Sequence, residues 1–317
     1  MNIRDIAFPF IAKIFPTHLI ADSPFLESTW RVLFYSFSPK APFAMRAKHY
    51  TVFARPDRTS HTRAIIRRGN WEQLETKLFV ACLNSYKNFK NFTVLDVGAN
   101  FGHYSLVSSN LLKPDNLILA FEPHPYQIEI LKENIKLQPN KNIRPVRCGV
   151  SDEEGCLELH SDSDNPGGHS FYKSTVRRQG QVHEVPVVTV DNYLDKLDVA
   201  KAPKLIKIDV EGHELYVING AAKTIEAHRP IVFCEVSASN MCREPESPIT
   251  ILENFSQWNY SPVWIDKKRS GYFLKSYDQL KNSFMKNPGQ QMDICFVPKE
   301  AIDDLKEYES IRIYEQY

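Results

Sequence analysis

The chain carries no excess of charge of either sign, with 39 Lys and Arg against 38 Asp and Glu in 317 residues. Without a basic field it is not expected to bind nucleic acid, and without an acidic excess it does not read as a solvating tail. It lacks a C-x-x-C pair and any Cys/His cluster at zinc spacing; the six cysteines are scattered at positions 82, 148, 156, 234, 242 and 295. Cys82, Cys234 and Cys295 fall inside apolar runs, where a thiol acts as a small hydrophobe, so a reducing, cytoplasmic compartment is expected. No apolar run is long enough to span a bilayer. Residues 6–15 are apolar but interrupted by Pro9 and Lys13, which also argues against a cleaved signal peptide. With the aromatic stretch 30–37 they read as helix packed on the domain, the alternative being a peripheral membrane or partner contact. Internal repeats and low-complexity tracts are absent as well.

What is present is alternation. Residues 1–60 read as an N-terminal extension, 61–300 as one domain and 301–317 as a C-terminal tail. Residues 48–54 and 62–67 are expected to form a strand pair. Leu74, Leu78, Phe79, Cys82 and Leu83 have the spacing of an amphipathic helix over 71–86. Strands are then expected at 93–97, 117–121, 143–150, 204–210 and 231–236, with helices at 103–112, 125–137 and 213–228 between them. Such alternation implies an α/β, doubly wound sheet, mostly parallel, with helices on both faces. Residues 155–190 break the rhythm with short hairpin-like pieces. A helix at 248–258 and strands at 260–265, 272–274 and 294–297 follow, expected to be antiparallel and edge-like.

Open parallel sheets bind ligands beyond the carboxyl ends of their strands, where strand order reverses. The run Asp96-Val97-Gly98-Ala99-Asn100-Phe101-Gly102 occupies such a strand end and leads into a helix. Gly98 and Gly102 allow a tight turn and a close backbone approach. Asp96 can accept from an amino group or orient the loop itself. Twenty residues beyond Gly102, Glu122 ends the next apolar strand, where a carboxylate can take both hydroxyls of a ribose. A dinucleotide fingerprint needs a second glycine where this chain has Asn100. An acid beside the turn suits S-adenosylmethionine, which carries an ammonium group and a ribose but no pyrophosphate.

A second constellation, Asp209-Val210-Glu211-Gly212-His213-Glu214, ends another strand, and burying its acids is costly unless ligand, metal or hydrogen bonds satisfy them. Together these motifs resemble the FkbM family of methyltransferases. The matching pieces are 96–106, Ala120-Phe121-Glu122-Pro123, Gly149-Val150-Ser151-Asp152, Val190-Asp191-Asn192-Tyr193-Leu194, 206–214 and 229–235, with Gly69-Asn70-Trp71-Glu72 upstream. The resemblance spans roughly residues 65–240. It implies a class I methyltransferase fold acting on oxygen, with a hydroxyl of a sugar, glycan or other small metabolite as acceptor. By position it implies Glu122 at the ribose, Asp96, Gly98 and Asn100 at the methionine part, Ser151 and Asp152 at the adenine, and Glu72 closing the pocket.

An alcohol is a poor nucleophile at neutral pH and needs a base or a metal. His213 is the expected base, since histidine titrates near working pH. Asp209 and Glu211 are expected to orient it, the alternative being a divalent cation such as Mg²⁺ on the two acids. His169, in the turn-rich stretch 164–171, is a second base candidate. His103 reads as a loop-packing or cofactor-side residue, and Trp71, Trp258 and Trp264 as core. A nicotinamide-dependent oxidoreductase and a non-catalytic partner protein with a cofactor fold are the competing readings.

Overall fold

The computed structural model describes residues 43–54, 65, 71–165, 167–197, 202–240, 247–307 and 311–315. The N-terminal apolar stretches lie outside these residues. β1 (Phe43–Arg46) pairs antiparallel with β2 (Thr51–Ala54), which lies within the expected strand 48–54; of the expected strand 62–67 only Ile65 is among the described residues, and it is helical. Helix α1 (Gln73–Ser85) buries Leu78, Phe79, Cys82 and Leu83, as its apolar spacing requires.

The doubly wound core follows: β3 (Thr93–Val97), α2 (His103–Leu111), β4 (Leu117–Phe121), α3 (Pro125–Lys136) and β5 (Ile143–Val146). Helix α3 starts where it does because Pro125 occupies its first turn and the His124 side chain accepts from the Tyr126 and Gln127 amides. The expected strand 143–150 divides: Gly149–Val150, β6, leaves the main sheet to pair with β8 (Gln179–Val188). Residues expected to form short pieces instead build one long hairpin of β7 (Gly155–Asp162) and β8. After α4 (Val190–Asp195) comes β9 (Pro203–Ile208). The single helix expected at 213–228 is two, α5 (Glu214–Asn219) and α6 (Ala222–His228). The break lies at Gly220, where a Cβ would sit 2.0 Å from the Ser151 carbonyl oxygen.

Strand β10 (Ile231–Ser237), α7 (Ser247–Gln257), β11 (Tyr260–Asp266), β12 (Gly271–Leu274), α8 (Tyr277–Lys286), β13 (Gln291–Pro298), α9 (Ile302–Lys306) and β14 (Ile313–Glu315) complete the described chain. Among the described residues the main sheet has nine strands in the order β14-β12-β11-β13-β10-β9-β3-β4-β5. The strands from β10 to β5 are parallel; β13 is antiparallel and inserted between β10 and β11. The expectation that the last strands form an edge is therefore corrected for β13, which is paired on both sides and buries Ile294, Cys295 and Phe296. An intervening helix, α8, went unread, although Ser276 and Gln279 form a reciprocal capping box at its start.

Successive strand residues serve opposite faces. Val94, Ile118 and Leu205 pack with α1, α2 and α3, whereas Leu95, Leu119 and Ile206 pack with α5, α6 and α7. Burial on both faces explains the unbroken apolar strands. Strand order reverses between β3 and β9, so their carboxyl ends diverge into adjacent loops, held together where the Asp209 N–H donates to the Val97 carbonyl at 3.0 Å.

Candidate active site

The loop after β3 uses three left-handed residues, Gly98 (φ 83°), Asn100 (φ 52°) and Gly102 (φ 97°). Four of its amides are consumed internally. Gly98 and Ala99 donate to the Phe121 carbonyl at 3.0 and 2.9 Å, and Gly102 donates to Ala99 at 2.8 Å. The Asn100 amide donates to Glu122 Oε2 at 2.8 Å. Glycine is required at 98, where a Cβ would lie 1.8 Å from the Asp209 carbonyl oxygen, and at 102, where it would lie 2.4 Å from Leu131 Cδ1. Gly102 thus serves helix packing and stands behind the loop.

Asp96 is also behind it. Buried in β3, its Oδ2 accepts from the Ser105 amide at 2.9 Å and hydroxyl at 2.6 Å, so it orients the loop and the start of α2. Burial pushes its carboxyl up to about 6, although the Ser105 bonds pull the other way.

A cavity of about 230 Å³ opens at the carboxyl ends of β3, β4, β9 and β10. The expected residues Glu72, Gly98, Asn100, Glu122, Asp209 and Glu211 all line it, together with His169 and Trp71. Glu122 accepts from two amides, Asn100 at Oε2 and His124 at Oε1, both at 2.8 Å; burial nevertheless raises it to about 7. Glu72 has φ 45° and accepts the Tyr104 hydroxyl proton at 2.6 Å; burial raises it to about 7 as well. The buried Asn100 Oδ1 has no hydrogen-bond partner among the described residues.

The buried Lys207 ammonium donates to Asp209 Oδ2 at 3.0 Å and lies 5.3 Å from the Tyr104 ring centre. Burial alone would lower Lys207, but Asp209, Glu72, Glu235 and Asp293 hold it well above its ordinary value. Glu211 has φ 51° and accepts the Asn240 side-chain amide at Oε2, at 2.9 Å. Burial, then repulsion from Asp209 and Glu214, raises it to about 8. Glu235, in the carboxyl-terminal half of β10, also lines the cavity, its carboxyl held well above the ordinary range by burial and by Asp209, Asp293 and Glu211. It carried no assigned role in the sequence; unlike Glu122 and Asp209, which follow their strands, it sits within β10, paired with Asp293 of β13. Tyr104 and Asn240 offered no comparable signal.

His213 is not brought into this cavity. Its Nε2 is 2.9 Å from Ser151 Oγ, its Nδ1 is 2.8 Å from the Tyr172 hydroxyl, and its ring stacks on Tyr216 at 4.5 Å. Burial lowers it to about 4. With Ser151 and Asp152 it lines a neighbouring cavity of about 490 Å³, on the far side of Phe171. His103 is occupied at both ring nitrogens, by Tyr50 at 2.6 Å and Thr76 at 2.7 Å. His169 Nδ1 accepts the Asp162 amide at 3.0 Å, which leaves the proton on Nε2 and makes the ring a donor toward the cavity. No group of three or more His, Cys, Asp or Glu among the described residues has the arrangement of a metal site. No described helix is long and apolar enough to cross a membrane.

The profile of the methyltransferase FkbM domain matches residues 96–262, more than half of the chain. Methyltransferase 1 of Beauveria bassiana is 27% identical over 143 residues, 40% of this chain and 57% of the relative. The hexuronic acid methyltransferase AglP of Haloferax volcanii is 29% identical over 132 residues, 42% of this chain and 51% of the relative. The chain therefore spans a little over half the length of these curated relatives. A solved methyltransferase FkbM from Methylobacillus flagellatus is 16% identical, with 68% of this chain and 47% of that chain covered and a TM-score of 0.39. The profile match runs from Asp96 into the first residues of β11, across every strand end that lines the cavity, and the chain belongs to the methyltransferase FkbM domain family.

Proposed function

We propose that the protein is an S-adenosylmethionine-dependent methyltransferase acting on a hydroxyl of a saccharide or related small metabolite. The observation that carries this reading is the state of the loop amides. Gly98, Ala99, Asn100 and Gly102 all spend their N–H groups inside the protein, so the loop has none of these donors to offer a pyrophosphate. Apart from the His169 ring, the cavity offers mainly acceptors: Asn100 Oδ1, unpartnered among the described residues, and the carboxyls of Glu122, Glu72, Asp209, Glu211 and Glu235. These residues fit a cationic ligand bearing an ammonium group and a ribose diol, and they disfavour a dinucleotide. Glu122 would hold the ribose, and Asn100 with Gly98 the amino-acid part.

Bound there, S-adenosylmethionine supplies an activated methyl group. The chain's own residues align the acceptor oxygen and accept its proton. Glu211 is the base we assign, because it lines the cavity, and burial has brought its carboxyl to about 8. A positively charged ligand nearby favours the ionised form and readies it. The role expected of His213 passes to Glu211 in this reading. The description of the Haloferax volcanii relative supports a saccharide acceptor.

Calorimetric titration with S-adenosylhomocysteine and with NAD tests the cofactor, with binding expected for the first alone. Tight NAD binding without a response to S-adenosylhomocysteine would sink the proposal. Transfer of labelled methyl from S-adenosylmethionine into a saccharide panel tests the acceptor class.

A further inference from the structure

Glu211 is held at two points by residues to which no role has been given. Its carbonyl accepts the Ser170 hydroxyl proton at 2.7 Å, and its Oε2 accepts the Asn240 side-chain amide at 2.9 Å. Asn240 is itself fixed. It lies just beyond β10, its amide donates to the Ser237 carbonyl at 3.2 Å, and its own carbonyl accepts from Thr175 Oγ1 at 3.3 Å. The approach depends on Gly212 (φ 105°), where a Cβ would stand 2.5 Å from the Asn240 carbonyl oxygen. The left-handed φ of 51° at Glu211 is uncommon for a residue with a side chain and persists here because both neighbours pin it. No described residue hydrogen-bonds to Oε1.

We propose that Asn240 is a positioning residue for methyl transfer: it occupies Glu211 Oε2 so that Oε1 alone is presented to the acceptor hydroxyl. The inference rests on Glu211 being the base. An amide N–H on one oxygen favours the ionised carboxylate and fixes the plane of the carboxyl group. The other charges acting on Glu211 come from separate elements: Asp209, Glu214 and Glu235 oppose its ionisation, and Arg177 and Lys207 favour it. Asn240 is the neutral group in this set, so its replacement alters the hydrogen bond without first altering the charge.

The test uses the full chain labelled with ¹³C at glutamate carboxyls, the Glu211 resonance being assigned by its loss in Glu211→Gln. Asn240→Ala is expected to move the Glu211 titration upward by about one pH unit, the loss of one hydrogen bond to a charged group. Asn240→Asp, nearly isosteric, removes the donor and adds repulsion, so it moves the titration further. A merely structural role predicts a lower melting temperature and an unmoved titration in Asn240→Ala, with only the added charge of Asn240→Asp shifting it, and that result would overturn the proposal. Labelled-methyl transfer separates the two layers. If Glu211→Gln retains turnover, the base assignment fails even where the titrations shift; if it loses turnover while they stay put, only the role of Asn240 fails.

Discussion

Glu122 Oε2 accepts the backbone N–H of Asn100 at 2.8 Å, so the acid that ends β4 also braces the loop that ends β3. The carboxylate is thereby both a wall of the cavity and part of its frame. Glu122→Ala is expected to weaken S-adenosylhomocysteine binding about 10- to 100-fold, the range for losing hydrogen bonds to a charged group. Glu122→Gln keeps one acceptor oxygen and should fall between Ala and the parent. Calorimetry on the three proteins checks the order, and equal affinities would remove Glu122 from the cofactor site.

Gly98 is committed by two separate demands. Its φ of 83° disfavours any side chain, and the Asp209 carbonyl stands where a Cβ would go. The backbone conformation alone costs an alanine about 1–2 kcal/mol. Forcing β3 and β9 apart adds roughly 1–3 kcal/mol of overpacking. Gly98→Ala is therefore expected to lower the midpoint of urea unfolding clearly and to abolish cofactor binding. Gly155→Ala, with open space around its Cβ, is the matched control and should change neither.

His213 separates a catalytic role from a structural one. Both ring nitrogens are engaged and burial keeps the ring neutral. His213→Ala removes one hydrogen bond each from Ser151 and the half-buried Tyr172, a loss of about 1–3 kcal/mol in stability. It is expected to retain S-adenosylhomocysteine binding, whereas Glu211→Gln should keep stability and binding and lose methyl transfer by about 10²-fold or more. A dead but fully stable His213→Ala would return the base to His213.

The residues that were legible beforehand are those whose role is written into a strand end. Asp96, Glu122 and Asp209 each follow an apolar run, and a parallel sheet delivers such positions to one edge. Their roles were less legible than their places. Whether Asp96 faces a ligand or Ser105 depends on the rotamer beside α2, which spacing does not encode. His213 and Glu211 are two residues apart, yet the left-handed turn at Glu211 and Gly212 sends one into the cavity and the other beneath Phe171. Strand β13 read as an edge because nothing local reports that a late strand inserts beside an earlier one. Asn240 is visible only through a contact across 29 residues.

The pH dependence of stability follows from two opposed sets of groups. Glu72, Glu122 and Glu214 are raised by burial from 4.5 to about 7, and Glu211 to about 8. In the folded state they keep protons that the unfolded chain has released, so their contribution is full below pH 4.5 and is lost as pH rises through 7 to 8. His169 and His213 are lowered by burial from 6.5 to about 4, and His103 and His124 to about 3. Their contribution is full above pH 6.5 and is lost as pH falls through the range 4 to 3. The two sets offset one another between pH 4.5 and 6.5. Above that window the histidines are neutral in both states and only the carboxyls still titrate, so the melting temperature should decline from pH 6.5 to 8.5. Glu122→Gln, which cannot ionise, should flatten that decline relative to the parent. A parent melting temperature that instead rises with alkalinity would mean that the cavity carboxyls are already ionised in the folded protein.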